Sequence, residues 1–334
     1  MQAVRLHRTG GPEVLTLEDV PTPVPGPGQA LVKVAYAGVG MPDVLVRTGR
    51  YAWMPPMPAI PGIEVTGEVC ELGSGVDPAW LGQQVWVSAR DLPFRGNGYA
   101  QYLVAPVAAL NALPAHADLK LACCLSNYQV AWHLLHSAPR GTWYGSVLVW
   151  AAAGGVGSAV VDIARHLGKQ VIGLTTDAHK QALVRRMGAQ EVLDHRSPQA
   201  DLLKSIQALT GGTGVDLVLD PVGGPGFARN VDFLAPLGMA INYGLLQGHP
   251  SAGYADALKA RFGDSLAFRY FSMHTFDNRP DVRQLVTQIL LDWLASGQIK
   301  PHVHDVLPLS QAPQAHVWLE SGQVCGKLLL SPWD

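Results

Sequence analysis

The amino-acid sequence predicts an α/β protein in which a β-rich region precedes a doubly wound parallel sheet. Three observations carry this. The apolar run Val147-Leu-Val-Trp150 stops at three alanines and two glycines, and an apolar helical period follows. From there strand-like and helix-like stretches alternate to about residue 243, the rhythm of βαβ units and a parallel sheet. Before residue 115 the chain instead carries short alternating runs separated by proline-rich loops, Pro21-Thr-Pro-Val-Pro-Gly-Pro-Gly28 and Pro55-Pro-Met-Pro-Ala-Ile-Pro61.

The elements follow in order. The first residues, Met1-Gln-Ala-Val-Arg5, read as the start of a strand and not as a signal peptide. Residues 30–38 alternate apolar and small side chains as a strand does, and 63–72, 85–87 and 99–104 are further strands. Residues 119–137 have a helical period. Strands are then expected at 147–150, 171–174, 191–193, 215–220 and 239–243, with helices at 156–167, 180–187, 197–210 and 225–234. The tail carries helices near 281–296 and 311–320 and a last strand at 327–330. The expected domains are 1–118, 119–262 and a segment 263–334 that returns to the first.

The chain has 334 residues, 48% hydrophobic and 15% charged, enough for two cores. A net charge of −2 gives no electrostatic footprint for nucleic acid or an anionic membrane. No apolar run reaches the roughly 18 residues of a membrane span. The four cysteines form no CxxC pair and suggest neither a disulfide framework nor a structural zinc site, so the expected setting is the cytoplasm.

The glycine stretch fits Ala152-x-Gly154-x-x-Gly157, with alanine in the first glycine position of a dinucleotide-binding turn. Gly154, with Gly155 and Val156, lets a backbone approach a pyrophosphate at a helix N-terminus, and Gly157 lets the helix pack closely on its strand. A tight strand-to-helix turn without a ligand is the bland alternative. An NAD site usually places an acidic residue at the end of the second strand. Here that strand ends at Thr175, and Asp177 falls in the following loop or helix cap. Thr175 and Thr176 are neutral donors and Lys180 brings a cation one turn on, which suits a 2′-phosphate and predicts NADPH. A solvated surface lysine is the competing reading of Lys180. Asn242, Tyr243 and Gly244, after the fifth strand, are expected beside the nicotinamide at the carboxyl edge of the sheet.

At this point the residues match a family. Gly10-Gly-Pro-Glu-Val-Leu15, Asp43 with Gly49-x-Tyr51, Pro61-Gly62-x-Glu64, Ala151-Ala-Ala-Gly-Gly-Val-Gly157, Gly188-Ala189, Asp220-x-Val222-Gly223 and Gly326-Lys327 carry the match. Through them the chain resembles the zinc-independent quinone oxidoreductases of the medium-chain dehydrogenase/reductase superfamily, nearly end to end. The resemblance implies an N-terminal GroES-like domain, a Rossmann domain, a C-terminal segment rejoining the first, an active site in the cleft between them, and a homodimer. It places Gly40, Gln129, His195 and Lys327 at the cofactor. Gly40, Gln129 and His195 stand where relatives have Asn, Thr and Tyr. The zinc-binding members need a histidine where this chain has Ile63, and no cysteine lies near Asp43, so no metal is expected.

Tyr51 occupies the place of a candidate catalytic tyrosine in related enoyl reductases, and is the expected proton donor or orienting group. A surface aromatic is its bland reading. Trp53, Met54 and Phe271 are the expected pocket for an apolar acceptor, with ordinary loop packing the alternative. Asp43 and Glu64 are read as structural carboxylates. The expected activity is NADPH-dependent, zinc-free reduction of quinones by hydride transfer. One alternative is reduction of the double bond of enals, enones or enoyl thioesters, for whose phosphates Arg47, Arg50, Arg90 or Arg95 would supply a basic entrance. The other is a nucleotide-binding protein with vestigial catalysis.

Overall fold

In the computed structural model, which describes residues 1–333, the chain opens with a pair of antiparallel strands, β1 (Gln2–Arg5) and β2 (Thr16–Asp19). The longest strand, β3 (Gln29–Val39), follows, and Ala30, Val32 and Val34 turn inward from it while Lys33 faces out. After it come α1 (Met41–Arg47), β4 (Glu64–Leu72), β5 (Gln84–Ser88), β6 (Tyr102–Pro106), β7 (Leu110–Ala112) and the short α2 (Leu119–Ala122). β4 and β6 both pair with β3, and β5 extends the sheet from β4. The pairing of β3 with β4 shifts register between Val34 and Tyr36. A side chain at Gly67 would place Cβ 2.2 Å from the Lys33 carbonyl oxygen, so glycine is required at that close approach.

The α/β region runs α3 (Leu125–His136), β8 (Ser146–Trp150), α4 (Gly155–His166), β9 (Gln170–Thr175), α5 (Ala178–Met187), β10 (Glu191–Asp194), α6 (Gln199–Leu209), β11 (Val215–Asp220), β12 (Leu234–Asn242), α7 (Gly253–Ala260) and β13 (Ala267–Tyr270). Its six strands are parallel in the order β10-β9-β8-β11-β12-β13. β8 lies inside this sheet and is buried along its whole length, as its unbroken apolar run requires. The strand order reverses between β8 and β11, which is where open α/β sheets bind ligands at their carboxyl ends.

The tail is α8 (Pro280–Ala295), β14 (Val303–Pro308), α9 (Ala312–Glu320) and β15 (Lys327–Ser331). β15 pairs antiparallel with β3, Leu329 opposite Gly38, and parallel with β14. The chain thus divides into a β-rich unit, Met1–Ser126 with Gln284–Asp334, and an α/β unit, Asn127–Arg283.

Several boundaries differ from expectation for identifiable reasons. The first division falls after Ser126 and not after 118, because the Thr66 hydroxyl donates to the Leu119 carbonyl and the Ser126 N–H donates to Glu64. The second falls after 283 and not 262, because β13 supplies the sixth strand of the parallel sheet. The helix expected over 119–137 is two helices that break around Cys123 and Cys124. Residues 225–234 form 3-10 turns from Pro225 to Phe233 in place of an α-helix. There Asn230 is held by the Trp150 indole and by Asp220, and Gly224 enters at φ 66°.

One buried ion pair fastens the tail to the β-rich unit. Lys327 Nζ donates to Glu64 Oε1, with the two side chains 2% and 0% exposed. Glu64 Oε2 also accepts from the Ser126 N–H at 3.0 Å and the Trp86 indole at 3.3 Å. A Cβ at Gly38 would lie 2.6 Å from Lys327 Cε, so the strand makes room for the pair. Lys327→Met leaves the Glu64 charge unanswered and should lower stability by about 3–5 kcal/mol, read from urea unfolding. Adding Glu64→Gln should recover part of that loss. An unaltered midpoint in the single variant would contradict this role.

Candidate functional site

In the α/β unit the turn after β8 is shaped by close backbone approach. Ala151 adopts a left-handed φ of 51°. The Gly154 N–H donates back to the Ala151 carbonyl at 2.9 Å, and Gly154 caps α4 in extended geometry. A Cβ on Gly157 would sit 2.2 Å from the Ala151 oxygen, a distance no side chain tolerates. Ala152 is buried, while Gly154, Gly155 and Val156 remain partly exposed. The first N–H groups of a helix have no acceptor one turn back and carry the positive end of its dipole. Bare backbone, partial exposure and a helix N-terminus together fit a dinucleotide's pyrophosphate.

The carboxyl ends of β9 and β10 gather the next group. Thr175 closes β9, and its carbonyl accepts the His195 N–H at 3.1 Å. Asp177 is the N-cap of α5 and accepts the Lys180 N–H at 2.9 Å, which holds its carboxyl below the ordinary range. Its Oδ1 is thus engaged by the helix end, and its Oδ2 stands beside the Lys180 ammonium. Lys180 Nζ lies 3.5 Å from the Thr176 hydroxyl and 3.5 Å from Asp177. The structure adds a residue that sequence reasoning passed over. Arg196 Nη2 donates to the Thr176 carbonyl at 2.8 Å, and its fork also grips Asp194, holding that carboxyl down at about 2. Its only sequence signal is a second cation directly after His195. Thr175, Thr176, Lys180, His195 and Arg196 thus form one cluster of donors and cations.

At the ends of β11 and β12, Asn242 Nδ2 donates to the Asp220 and Gly244 carbonyls at 3.0 and 2.9 Å. The Tyr243 N–H donates to the same Asp220 carbonyl. This amide shapes the loop at the strand ends. Phe271 follows β13, its N–H donating to Asn242 O at 2.8 Å, and its ring lies 6.4 Å from His133. Gln129 is buried on α3.

In the β-rich unit Asp43 organises the neighbourhood of Gly40. Its Oδ2 accepts the Gly40 N–H at 2.9 Å and its Oδ1 the Gly62 N–H at 2.8 Å. Complete burial pushes its carboxyl up to about 7 against the pull of these two bonds. Tyr51 is 8% exposed, and its ring centroid lies 5.8 Å from that of the half-exposed Trp53. Met54, expected in the acceptor pocket, is partly buried and packs against the core of this unit. Lys327, also expected at the cofactor, has its ammonium buried and paired with Glu64.

Ile63 stands where zinc-dependent relatives carry a histidine. Among the described residues no three His, Cys, Asp or Glu side chains gather as a metal would need. Cys123 and Cys124 are buried, and burial pushes both thiols up, away from reactive thiolates. No helix is long and apolar enough to cross a membrane among the described residues.

Comparison with known proteins agrees with this geometry. Residues 26–115 match the alcohol dehydrogenase GroES-like domain family, and residues 187–330 match a family described as zinc-binding dehydrogenase. The chain is 30% identical over 342 residues to a 2-haloacrylate reductase from a Burkholderia species, covering 99% of each. It is 29% identical to the quinone oxidoreductase of Rattus norvegicus, covering 99% of this chain and 97% of that one. Among solved structures, it matches Escherichia coli quinone oxidoreductase complexed with NADPH at a TM-score of 0.86 and 27% identity, over 99% and 100% of the two chains. The β-rich unit is GroES-like and the α/β unit is Rossmann-like.

The buried Asp43 carboxylate has a measurable signature. Its pKa is raised in the fold, so the stability it contributes is complete below the ordinary carboxylate range and lost as pH rises through about 7. His316, which burial lowers to about 3, acts in the opposite sense and is common to both proteins compared. The stability advantage of the wild-type chain over Asp43→Asn should therefore be largest near pH 4 and shrink toward pH 8, measured by urea unfolding across pH. A gap independent of pH would contradict the assignment.

Proposed function

The chain belongs to the zinc-independent quinone oxidoreductase branch of the medium-chain dehydrogenase/reductase superfamily, and from that premise we propose that it uses NADPH to reduce quinones or related conjugated acceptors. The observation that carries the reading is the pairing of a glycine-rich helix N-terminus with a cationic cluster at the end of β9. Gly154, Gly155 and Val156 hold the pyrophosphate by backbone N–H groups. Thr175, Thr176, Lys180 and His195 take the 2′-phosphate, with Arg196 as a further cation oriented by Asp194. Gly40, Gln129, Asn242, Tyr243 and Gly244 border the nicotinamide. NADPH, when bound, supplies the hydride. A conjugated acceptor takes it without a Lewis acid, and Tyr51 gives or orients the proton that completes the reduction. Trp53 and Phe271 line the acceptor site.

A second reading, reduction of a carbon–carbon double bond beside a carbonyl, is favoured by the 30% identity to a 2-haloacrylate reductase over the whole chain. Both readings share the cofactor and the proton donor. We place the protein in the cytoplasm as a homodimer. None of the four cysteines forms a disulfide, and β13 is an outer strand of the parallel sheet that pairing with a second copy would cover.

The test offers the chelator-treated protein NADPH with a simple quinone, a 2-alkenal and an enoyl thioester, followed by loss of reduced-nicotinamide absorbance. Quinone-dependent oxidation is the expected result. Turnover with the alkenal or thioester alone would favour the second reading, and binding without turnover would overturn both. Lys180→Ala should weaken NADPH about tenfold or more while leaving NADH nearly as before, since a charge-assisted contact contributes about 1.5–3 kcal/mol. Tyr51→Phe should lower kcat by about 100-fold with the NADPH dissociation constant little altered. Unchanged turnover would remove its proton role.

A further inference from the structure

Trp150 closes β8, directly before the bare turn that opens α4, and three neighbours meet on its indole. Its Nε1 donates to Asn230 Oδ1 at 2.8 Å. Its ring centroid lies 6.0 Å from that of His195, which follows β10. The Arg229 guanidinium carbon lies over the same ring, 4.1 Å from its centroid. Among the described residues, no hydrogen bond or ion pair engages that guanidinium.

The stack is fixed from the strand ends. Asn230 Nδ2 donates to Asp220 Oδ2 at 2.6 Å, and Asp220 Oδ1 accepts the Val222 and Gly223 N–H groups at 2.5 and 3.1 Å. This run of bonds from Asp220 through Asn230 to Trp150 holds the 3-10 turns at the end of β11, and so sets Arg229, the residue before Asn230, on the indole. Trp150 is 2% exposed and Arg229 is half-buried, so a ligand arriving there meets the guanidinium and not the indole. Burial raises the Asp220 carboxyl and lowers the Arg229 guanidinium, and the attraction between their charges opposes both shifts. The cation is thus partly answered from within the fold.

A guanidinium is planar, and one face laid on an indole leaves the other for a second planar group. In NADPH the adenine base and the 2′-phosphate hang from adjacent carbons of one ribose. A phosphate taken by Thr176, Lys180 and His195 therefore sets the base beside that cluster, where the indole next to His195 carries Arg229. We infer that Arg229 is the platform for the adenine base, with purine, guanidinium and indole stacked in that order. Adenine is neutral, so the layer needs contact area and a π face and not a counter-charge, which suits a cation already drawn to Asp220. Recognition of the base is then separate from recognition of the phosphate. Arg229 holds the part that NADPH and NADH share, and Lys180 holds the part that distinguishes them. This rests on the reading of the chain as a dinucleotide-dependent reductase.

The test measures dissociation constants for NADPH and NADH, and displacement of bound NADPH by 5′-AMP and 5′-UMP, at matched salt. The proteins are the wild-type chain, Arg229→Ala, Arg229→Lys and Lys180→Ala. Arg229→Ala should weaken NADPH and NADH by the same factor, about tenfold, the size of one stacked base. Arg229→Lys keeps the charge and loses the plane, and should lose nearly as much. Lys180→Ala should weaken NADPH alone. In the wild-type chain, whatever the variants do, AMP should displace NADPH about tenfold better than UMP, since the two carry the same charge and differ in the base. Unchanged binding in Arg229→Ala, a loss confined to NADPH, full rescue by Arg229→Lys, or equal displacement by AMP and UMP each overturns the inference while the reductase reading stands. A wild-type chain that binds neither dinucleotide overturns that reading as well.

Discussion

The α/β unit depends on how closely α4 approaches β8. With the Ala151 carbonyl 2.2 Å from where a Cβ at Gly157 would be, the helix packs against its strand only because that position has no side chain. The consequence reaches past packing. Ala151 is forced into a left-handed conformation, Gly154 is left as an extended cap, and the first turn of α4 stays partly open to solvent. A helix placed this way directs unsatisfied N–H groups beyond the carboxyl end of the sheet, where an anionic ligand answers them. Gly173 on β9 belongs to the same constraint, since its Cβ would press on Val184 and on Ala152.

The β-rich unit follows a different logic, in which buried charges are each given a partner. Glu64 takes Lys327, Ser126 and Trp86, and Asp43 takes two backbone N–H groups. Each arrangement joins segments far apart in the chain. Lys327 comes from the last strand, and Asp43 ties the start of α1 to Gly62 ahead of β4. A buried ion pair contributes little net stability beside an apolar substitute, but removing one partner is costly. Such pairs therefore secure the return of the tail to β3. The bonds between residues 60–62 and 97–99 do the same for the loops around Trp53 and Arg95.

Much of this was legible in the sequence because it is local. Strand β8, the bare turn and helix α4 are contiguous, so their pattern can be read directly. Asp177 reads as a helix cap because its distance from the end of β9 is a matter of counting along the chain, and its bond to the Lys180 N–H fits that position. What escaped was set by partners distant in sequence. The ion partner of Lys327 is Glu64, 263 positions away, and nothing local in the sequence joins them. Arg196 gains significance only because β10 lies beside β9 and brings it to Thr176. The 3-10 turns from Pro225 to Phe233 have an apolar pattern that suits an α-helix, yet Asn230 is drawn to Trp150 and Asp220. Strands β13 and β14 were missed because each is short and only half-buried, so neither shows a clear apolar period.

Recognition of a 2′-phosphate by the cluster at the end of β9 is what sets the cofactor. The most direct measurement is the equilibrium dissociation constant of the wild-type chain for NADPH and for NADH, by titration at matched salt. NADPH should bind tighter by about tenfold or more, a difference of roughly 1.4 kcal/mol, narrowing as salt screens the cations. Equal affinity, or tighter binding of NADH, would contradict it.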